Sequence, residues 1–321
     1  MNSLQLTFCF DLDSLKPAEL AELIQRSLGF APTYIRSDQF CKNGGKFKPS
    51  HLEKLAALDE LSSVELETDL RMRGDYFHFA TLGGLGFQAL YWHVAPSRAP
   101  SLEFLHALSQ RPGFNAGYCS DAEYEFWQSI DSLTTYRMRG RSTENLHTIS
   151  DPDTGELVVD LSRNPGRRRR FSGMWLQAAW RMWFGPGAFP ALPPDRLLSF
   201  GECSRKEQLP AGTIFIELFE QVEQTETPEN QRRQQAFSDW LGLDQLEKRA
   251  GEFGDKSDPG MDIKPGKFPH GGVWLLTQWF DEAGQLVRRS RATYRKSVEL
   301  DARCRPIWHS GRLPPGPEQA L

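Results

Sequence analysis

Four consecutive arginines, Arg167, Arg168, Arg169 and Arg170, stand directly before a tryptophan-rich segment. Basic side chains beside aromatic ones can bind phosphate groups and stack on bases, so the pattern could serve nucleic-acid binding. If the run is extended, Arg167 and Arg169 face one way, and Arg168 and Arg170 face the other. We predict that they pair with the chain's own carboxylates, above all with an acidic strip about forty residues onward. A solvated loop and phosphate binding are the alternatives.

Two histidines, His78 and His93, flank the glycine-rich stretch GGLG at 83–86. Each is predicted to lie on a strand of a hairpin that turns at these glycines, which brings the two side chains near each other. Histidine can act as a metal ligand or as a general base. A metal site needs a third ligand, and none stands at metal-ligand spacing, so we predict no metal. A hydrolase with a site near His78 and His93 remains an alternative function.

The chain lacks the usual motifs of cofactor binding and catalysis. GGLGFQA (83–89) has the G-x-G-x-x-A spacing, but strand-like residues follow instead of the helix that would face a pyrophosphate. The HGG at 270–272 has no G-x-S-x-G to supply a nucleophile. No P-loop, H-E-x-x-H or C-x-x-C occurs either. We therefore predict that the protein is not an enzyme and that it uses no cofactor.

Acidic residues form the most informative charge pattern. The segment 207–231 holds six glutamates and no lysine or arginine. Such a strip repels nucleic acid and attracts basic surfaces, although a plainly solvated face is the other interpretation. The candidate partner-binding residues on this strip are Glu217, Glu220, Glu223 and Glu226. A second candidate patch comprises Glu65, Glu67 and Asp69, which alternate with apolar residues on a predicted strand.

Composition narrows the class of protein. The 321 residues carry a formal net charge of −4, which argues against a general nucleic-acid binder. The first residues lack the pattern of a signal peptide, and no apolar run approaches the roughly 20 residues of a membrane span. Five scattered cysteines, none in C-x-x-C spacing, indicate reduced thiols. We expect a cytoplasmic protein with no membrane segment.

The elements that must position these residues alternate between strands and helices. Each half of the chain is predicted to form a strand, a helix that starts with proline, a short helix, a glycine-rich loop and a hairpin, in that order. The fold class is therefore predicted as α+β with two lobes, each an antiparallel sheet with helices on one face. The predicted domains are 1–163, 164–310 and a disordered tail at 311–321. The similar order of the halves leaves an internal duplication open.

The tryptophan-rich segment SGMWLQAAWRMWFG (172–185) is apolar on nearly every side of a helix. A helix with that pattern is buried, and about a dozen residues are too few to cross a membrane. We predict a core helix that opens the second lobe.

Three features together resemble immunity proteins of bacterial polymorphic-toxin and type VI secretion systems (T6SS). They are the α+β layout, the aromatic hairpin HGGVWLLTQWFDEAG and the acidic IELFEQVEQTETPEN. The chain is most similar to the immunity family partnered with restriction-endonuclease-fold toxins. The resemblance implies a cytoplasmic antitoxin that inhibits a cognate toxin, in this case a nuclease effector, by tight protein–protein binding. An acidic surface suits a toxin with a basic groove. A nucleic-acid-binding or processing protein that uses Arg167–Arg170 is the alternative, and a homodimer is left open.

Overall fold

The computed structural model describes residues 3–69, 74–151, 155–171, 173–251, 261–265, 268–284, 287, 292–301 and 306–311. The chain forms two compact units, one of residues 1–150 and 156–246 and the other of residues 151–155 and 247–321. Helices and antiparallel sheets are both present, so the predicted α+β class is confirmed.

The strands of the first unit are β1 (Leu4–Asp11), β2 (Tyr34–Ser37), β3 (Cys41–Lys46), β4 (Ser63–Glu67), β5 (Tyr76–Leu82), β6 (Phe87–Val94), β7 (Phe114–Asp121), β8 (Thr148–Ser150), β9 (Leu157–Val159), β10 (Arg169–Phe171), β11 (Met174–Leu176), β12 (Arg181–Phe184), β13 (Arg205–Gln208) and β14 (Ile214–Glu217). The helices are α1 (Pro17–Ser27), α2 (Ser50–Ala56), α3 (Leu102–Ser109), α4 (Ala122–Ser129), α5 (Leu133–Met138), α6 (Pro194–Ser199), α7 (Pro228–Leu241) and α8 (Leu243–Gly251), the last of which reaches into the second unit.

One ten-stranded antiparallel sheet dominates the first unit, in the order β13-β14-β12-β7-β1-β6-β5-β4-β2-β3. Helices cover both of its faces. On β12, the ring of Trp183 contacts His106 of α3, whereas the next residue, Phe184, contacts Phe237 of α7. Successive residues of a strand point to opposite faces, so α3 and α7 lie on opposite sides. The prediction of helices on one face only is therefore wrong for this sheet.

The strand pairing also contradicts the predicted domain boundary between 163 and 164. Strands β12, β13 and β14 come from the predicted second lobe, yet they extend the sheet formed by β1 to β7. β12 pairs directly with β7, so these segments share one core. The boundary was placed by local pattern, which does not reveal that a strand far along the chain completes an earlier sheet.

The second unit contains an antiparallel sheet in the order β15-β16-β17-β18. Its strands are β15 (Met261–Pro265), β16 (Trp274–Phe280), β17 (Tyr294–Leu300) and β18 (Pro306–Gly311). β16, the first strand of the predicted aromatic hairpin, pairs with β17. The two halves of the chain do not build equivalent sheets, because β14 joins the first sheet and β16 joins the second. Of the predicted tail, Gly311 ends β18 and 312–321 lie outside the described residues.

The predicted core helix at 172–185 is wrong. The segment instead forms β11 and β12, joined by buried, irregular backbone at 177–180. The prediction that it is buried is confirmed, since Trp183 and Met182 are 0% and 1% exposed. A strand with covered faces on both sides is as apolar all round as a buried helix, so periodicity alone does not separate the two.

Candidate functional site

A cleft of about 930 Å³ opens on one face of the ten-stranded sheet, wholly within the first unit. Its floor comes from β1, β5 and β6, whose register places every second side chain on that face. One wall is α4 with the segment that follows α5, and another comes from the β10–β11 hairpin. The lining residues used below are Tyr76, His78, Tyr91, His93, Glu123, Glu125, Phe126, Trp127, Arg139, Arg141, Arg168 and Trp175.

The two histidines predicted to lie near each other both line this cleft. β5 and β6 pair antiparallel with Tyr76 opposite His93 and His78 opposite Tyr91, so the histidines are diagonal neighbours. The His78 ring stacks on the Tyr91 ring with centroids 5.5 Å apart. Burial lowers the pKa of His78 to about 4 and also lowers the pKa of His93. Both imidazoles are therefore neutral near pH 7.

Three consecutive residues of α4 each hold one arginine in the cleft. The Arg168 Nη1 atom lies 4.0 Å from Glu125 Oε1. The guanidinium carbon of Arg139 lies 4.2 Å from the centre of the Phe126 ring. The corresponding carbon of Arg141 lies 4.5 Å from the centre of the Trp127 ring. Arginines from separate parts of the chain thus meet along one short helix.

Glu125 is a buried carboxyl group that lines the cleft. Its pKa is raised by burial, and the charge of Arg168 together with a hydrogen bond from Ser120 opposes that effect. The Ser120 hydroxyl donates to Glu125 Oε2 over 2.6 Å. Arg168 also lies over the Trp175 ring, with its guanidinium carbon 4.8 Å from the ring centre. The charge of Arg168 therefore offsets part of the cost of ionising Glu125 in its buried position.

The wall of the cleft has a small apolar cluster of its own. Trp127, Tyr136 and Val159 pack together, apart from the main core of the sheet. The Tyr136 hydroxyl donates to the Trp127 carbonyl over 2.9 Å, and the two rings lie 4.6 Å apart. We call residues 122–150 and 156–163, which contain this cluster, the wall segment.

Arg167, Arg168 and Arg169 alternate in direction as predicted. Arg169 Nε donates to Asp244 Oδ1 over 2.7 Å, and Arg167 Nη2 donates to the same oxygen over 2.9 Å. Arg168 faces the cleft instead, and Arg170 is half-buried. Pairing within the chain is thus confirmed for Arg167 and Arg169. Their carboxylate partner is Asp244 at the start of α8, however, and not the acidic strip, so that part of the prediction is wrong.

The acidic strip divides into a buried and an exposed part. Glu217 is buried, and its Oε2 accepts from Arg181 Nε over 2.5 Å. β12 and β14 pair with these two residues directly opposite each other, so Glu217 belongs to the sheet and is not an exposed contact. Glu220, Glu223 and Glu226 are exposed as predicted.

The loop that carries the three exposed glutamates, 218–227, has a well-fixed backbone. The Asn230 side chain donates to the Gln224 carbonyl over 2.8 Å, and the Thr225 hydroxyl donates to the Val222 carbonyl over 2.6 Å. Val222 and Thr225 are buried beneath the loop. Hydrogen bonds therefore fix the chain while its carboxylates point to solvent.

The acidic loop is connected to the cleft through Arg141. An Arg141 nitrogen lies 3.5 Å from Glu226 Oε1 and 3.6 Å from Glu123 Oε1. Glu123 and Arg141 line the cleft, so Glu226 lies at its rim.

The second acidic patch is less exposed than its alternating sequence predicts. Glu65 is half-buried and lies 3.3 Å from an Arg36 nitrogen and 4.0 Å from His78 Nε2. Glu67 is only 3% exposed, and its pKa is raised by burial and then by Glu65. Asp69 is exposed. β4 lies inside the sheet between β2 and β5, which is why its polar face is partly covered.

Sequence reasoning identified the histidines and Arg168 but missed most of the cleft. Arg139, Arg141, Phe126 and Trp127 were not singled out as a group. The run RMRGR at 137–141, basic and just beyond an aromatic helix, was the available signal.

Among the residues that the structure describes, no helix is long and apolar enough to cross a membrane. Within the same residues, no three His, Cys, Asp or Glu side chains meet in a group that could hold a metal ion. The hydrolase alternative near the histidines stays a prediction.

Comparison with known proteins yields little. No protein-family profile matches the chain, and no curated protein matches it. A solved structure with some similarity is a Pseudomonas aeruginosa T6SS protein, PA0821, with 11% sequence identity and a TM-score of 0.45. The alignment covers 79% of this chain and 83% of that chain. Function therefore has to be inferred from this chain's own residues.

Proposed function

We propose that this protein is a non-catalytic antitoxin that neutralises a cognate bacterial toxin by binding it, within a T6SS-type competition system and in the cytoplasm. The observation that supports the proposal best is the loop 218–227. It presents Glu220, Glu223 and Glu226 to solvent from a backbone fixed by hydrogen bonds, beside an aromatic cleft. The sequence resemblance to immunity proteins points the same way.

A rigid acidic loop is suited to binding a basic protein surface. Side chains on an ordered backbone lose less entropy on association than side chains on a loop that must first become ordered. Glu220 and Glu223 form no ion pair with any described residue, so their charges are available to a partner. Complementary charge speeds association and selects the partner. A nuclease toxin, whose groove must attract phosphates, offers such a surface.

The aromatic residues beside the loop would supply the affinity. Binding hot spots are enriched in tryptophan, tyrosine and arginine, and the cleft offers Tyr76, Tyr91 and Trp175 together with its arginines. Charged residues at the rim then add specificity and association rate more than affinity. Neutralisation by this route needs no chemistry from the antitoxin.

The test uses a charge reversal with a matched control. The double variant Glu220→Lys/Glu223→Lys should bind a toxin that co-purifies with the unchanged protein at least about tenfold more weakly, mainly through slower association. Glu53→Lys/Glu282→Lys changes two other exposed glutamates and the same net charge, and it should bind like the unchanged protein. Affinity and association rate are measured at low and high salt with the toxin immobilised on a sensor surface.

Two outcomes would refute the assignment. If both double variants weaken binding equally, overall charge and not this loop is responsible. If neither does, and cells that express the toxin are rescued equally by all forms, the acidic loop is not the contact.

A further inference from the structure

The three arginines of the cleft share one arrangement. Each of the three lies over an aromatic ring, with guanidinium-to-centroid distances of 4.2 Å for Arg139, 4.5 Å for Arg141 and 4.8 Å for Arg168. All three side chains line the same cavity. An arginine stacked in this way is held in place by its flat face, while the N–H groups around its edge remain free to donate.

Two of the three arginines have a carboxylate beside them. Glu123 Oε1 lies 3.6 Å from an Arg141 nitrogen, and Glu125 Oε1 lies 4.0 Å from Arg168 Nη1. Arg139 is exposed and forms no ion pair with a described residue. Its donors are therefore the ones an incoming anion would meet first. A planar guanidinium matches a carboxylate or phosphate group with two parallel hydrogen bonds.

The floor of the cleft suits the rest of an anionic ligand. Tyr76 and Tyr91 line the floor of the cleft, and their pKa values are raised by burial, so both stay neutral. His78 and His93 are neutral near pH 7 because burial lowers their pKa values. A volume of about 930 Å³ accommodates a ligand of nucleotide size.

We propose that this cleft is a binding site for a small molecule that carries both a phosphate or carboxylate group and a flat ring. Arg139 binds the oxyanion, and the aromatic side chains of the cleft contact the ring. The site shares the cleft with the proposed toxin contact, but small-molecule binding through Arg139 is measured without the toxin, so the two proposals are tested separately.

The experiment titrates the full-length protein with four probes: AMP, benzoate, inorganic phosphate and the uncharged adenosine. Binding is followed by calorimetry and by tryptophan fluorescence, since Trp127 and Trp175 line the cleft. We expect AMP or benzoate to bind at least tenfold more tightly than adenosine, because a charged hydrogen-bonded pair is absent with adenosine. Binding of both AMP and inorganic phosphate identifies a phosphate site. Binding of benzoate alone identifies a carboxylate site.

Variants separate a built site from general attraction to basic residues. Arg139→Gln should lower the affinity of the best probe at least tenfold, and Arg139→Lys should lower it less, because lysine keeps the charge and loses the planar fork. Arg137→Gln is the control, since Arg137 is an exposed arginine of the adjacent helix α5 and does not line the cleft. It should change affinity less than twofold.

The proposal is overturned by any of three results. These are equal affinity for AMP and adenosine, equal loss in the Arg137 and Arg139 variants, or no saturable binding of any anion at about 10 mM. Arg139 is exposed, so its variants are expected to fold, and circular dichroism of each variant checks this.

Discussion

The pair of Arg169 and Asp244 tests what the arginine run does for the fold. The Arg169 side chain is 1% exposed, and its Nε atom lies 2.7 Å from Asp244 Oδ1. Arg167 shares the same oxygen at 2.9 Å. The change Asp244→Ala removes one carboxylate partner of a buried guanidinium that cannot lose its proton.

The size of the effect follows from burial. Removing one partner of a buried ion pair costs roughly 3–5 kcal/mol, and the 33% exposure of the Asp244 side chain reduces this. We therefore expect Asp244→Ala to lower the free energy of unfolding by about 2–3 kcal/mol. The measurement is urea denaturation followed by circular dichroism. The slope of the unfolding free energy against urea concentration should be the same for the variant and the unchanged protein.

A double variant and a control complete this test. Adding Arg169→Met to Asp244→Ala should recover part of the loss, because the buried guanidinium that lost a carboxylate partner is then removed as well. Arg163→Gln breaks an exposed pair with Asp160 and should cost under about 1 kcal/mol. A loss below about 1 kcal/mol for Asp244→Ala, or no recovery in the double variant, would show that the pair does not stabilise the fold as argued.

Three further predictions concern other parts of the chain. Trp183→Ala empties a fully buried site and should lower the free energy of unfolding by about 3–5 kcal/mol in the same denaturation assay; a loss under 1 kcal/mol would contradict the packing. His78 should stay neutral in an NMR titration down to about pH 4, and because its folded pKa is below its unfolded one, stability should fall as pH drops below about 6.5. Burial raises the pKa of Glu299, but hydrogen bonds from His270 and Gly272 lower it more, so its folded pKa is below its unfolded one. The ionised carboxylate therefore stabilises the fold above the unfolded pKa, and this stabilisation is lost as pH falls through the folded pKa. The loss of stability on acidification should be smaller in His270→Ala, and an unchanged loss would show that the contact is irrelevant.

Local sequence pattern was a reliable guide to local structure. The stretch from Tyr76 to Val94 was predicted as a hairpin that turns at GGLG, and β5 and β6 pair in this way. Glycine at the turn explains the success, because Gly86 has φ +78, a conformation that other residues rarely adopt. The same pattern brought His78 and His93 into one cleft.

What the sequence could not supply was the wider context of each element. The apolar run around Trp183 was interpreted as a helix, because nothing local indicated that a strand there would be covered on both faces. Glu67 was expected in solvent because its strand alternates, yet tertiary neighbours bury it. Arg139 and Arg168 meet at α4 from segments about thirty residues apart, and no spacing rule connects them.

The separate cluster of Trp127, Tyr136 and Val159 has a consequence for the energetics of the cleft. Small packed units open more easily than a large core, so backbone amides of the wall segment should exchange with deuterium at lower denaturant than those of β1 and β6. A ligand that touches both the wall and the floor would link these two cooperative units. Its binding free energy would then slow deuterium exchange throughout the wall segment, including at residues that the ligand does not contact.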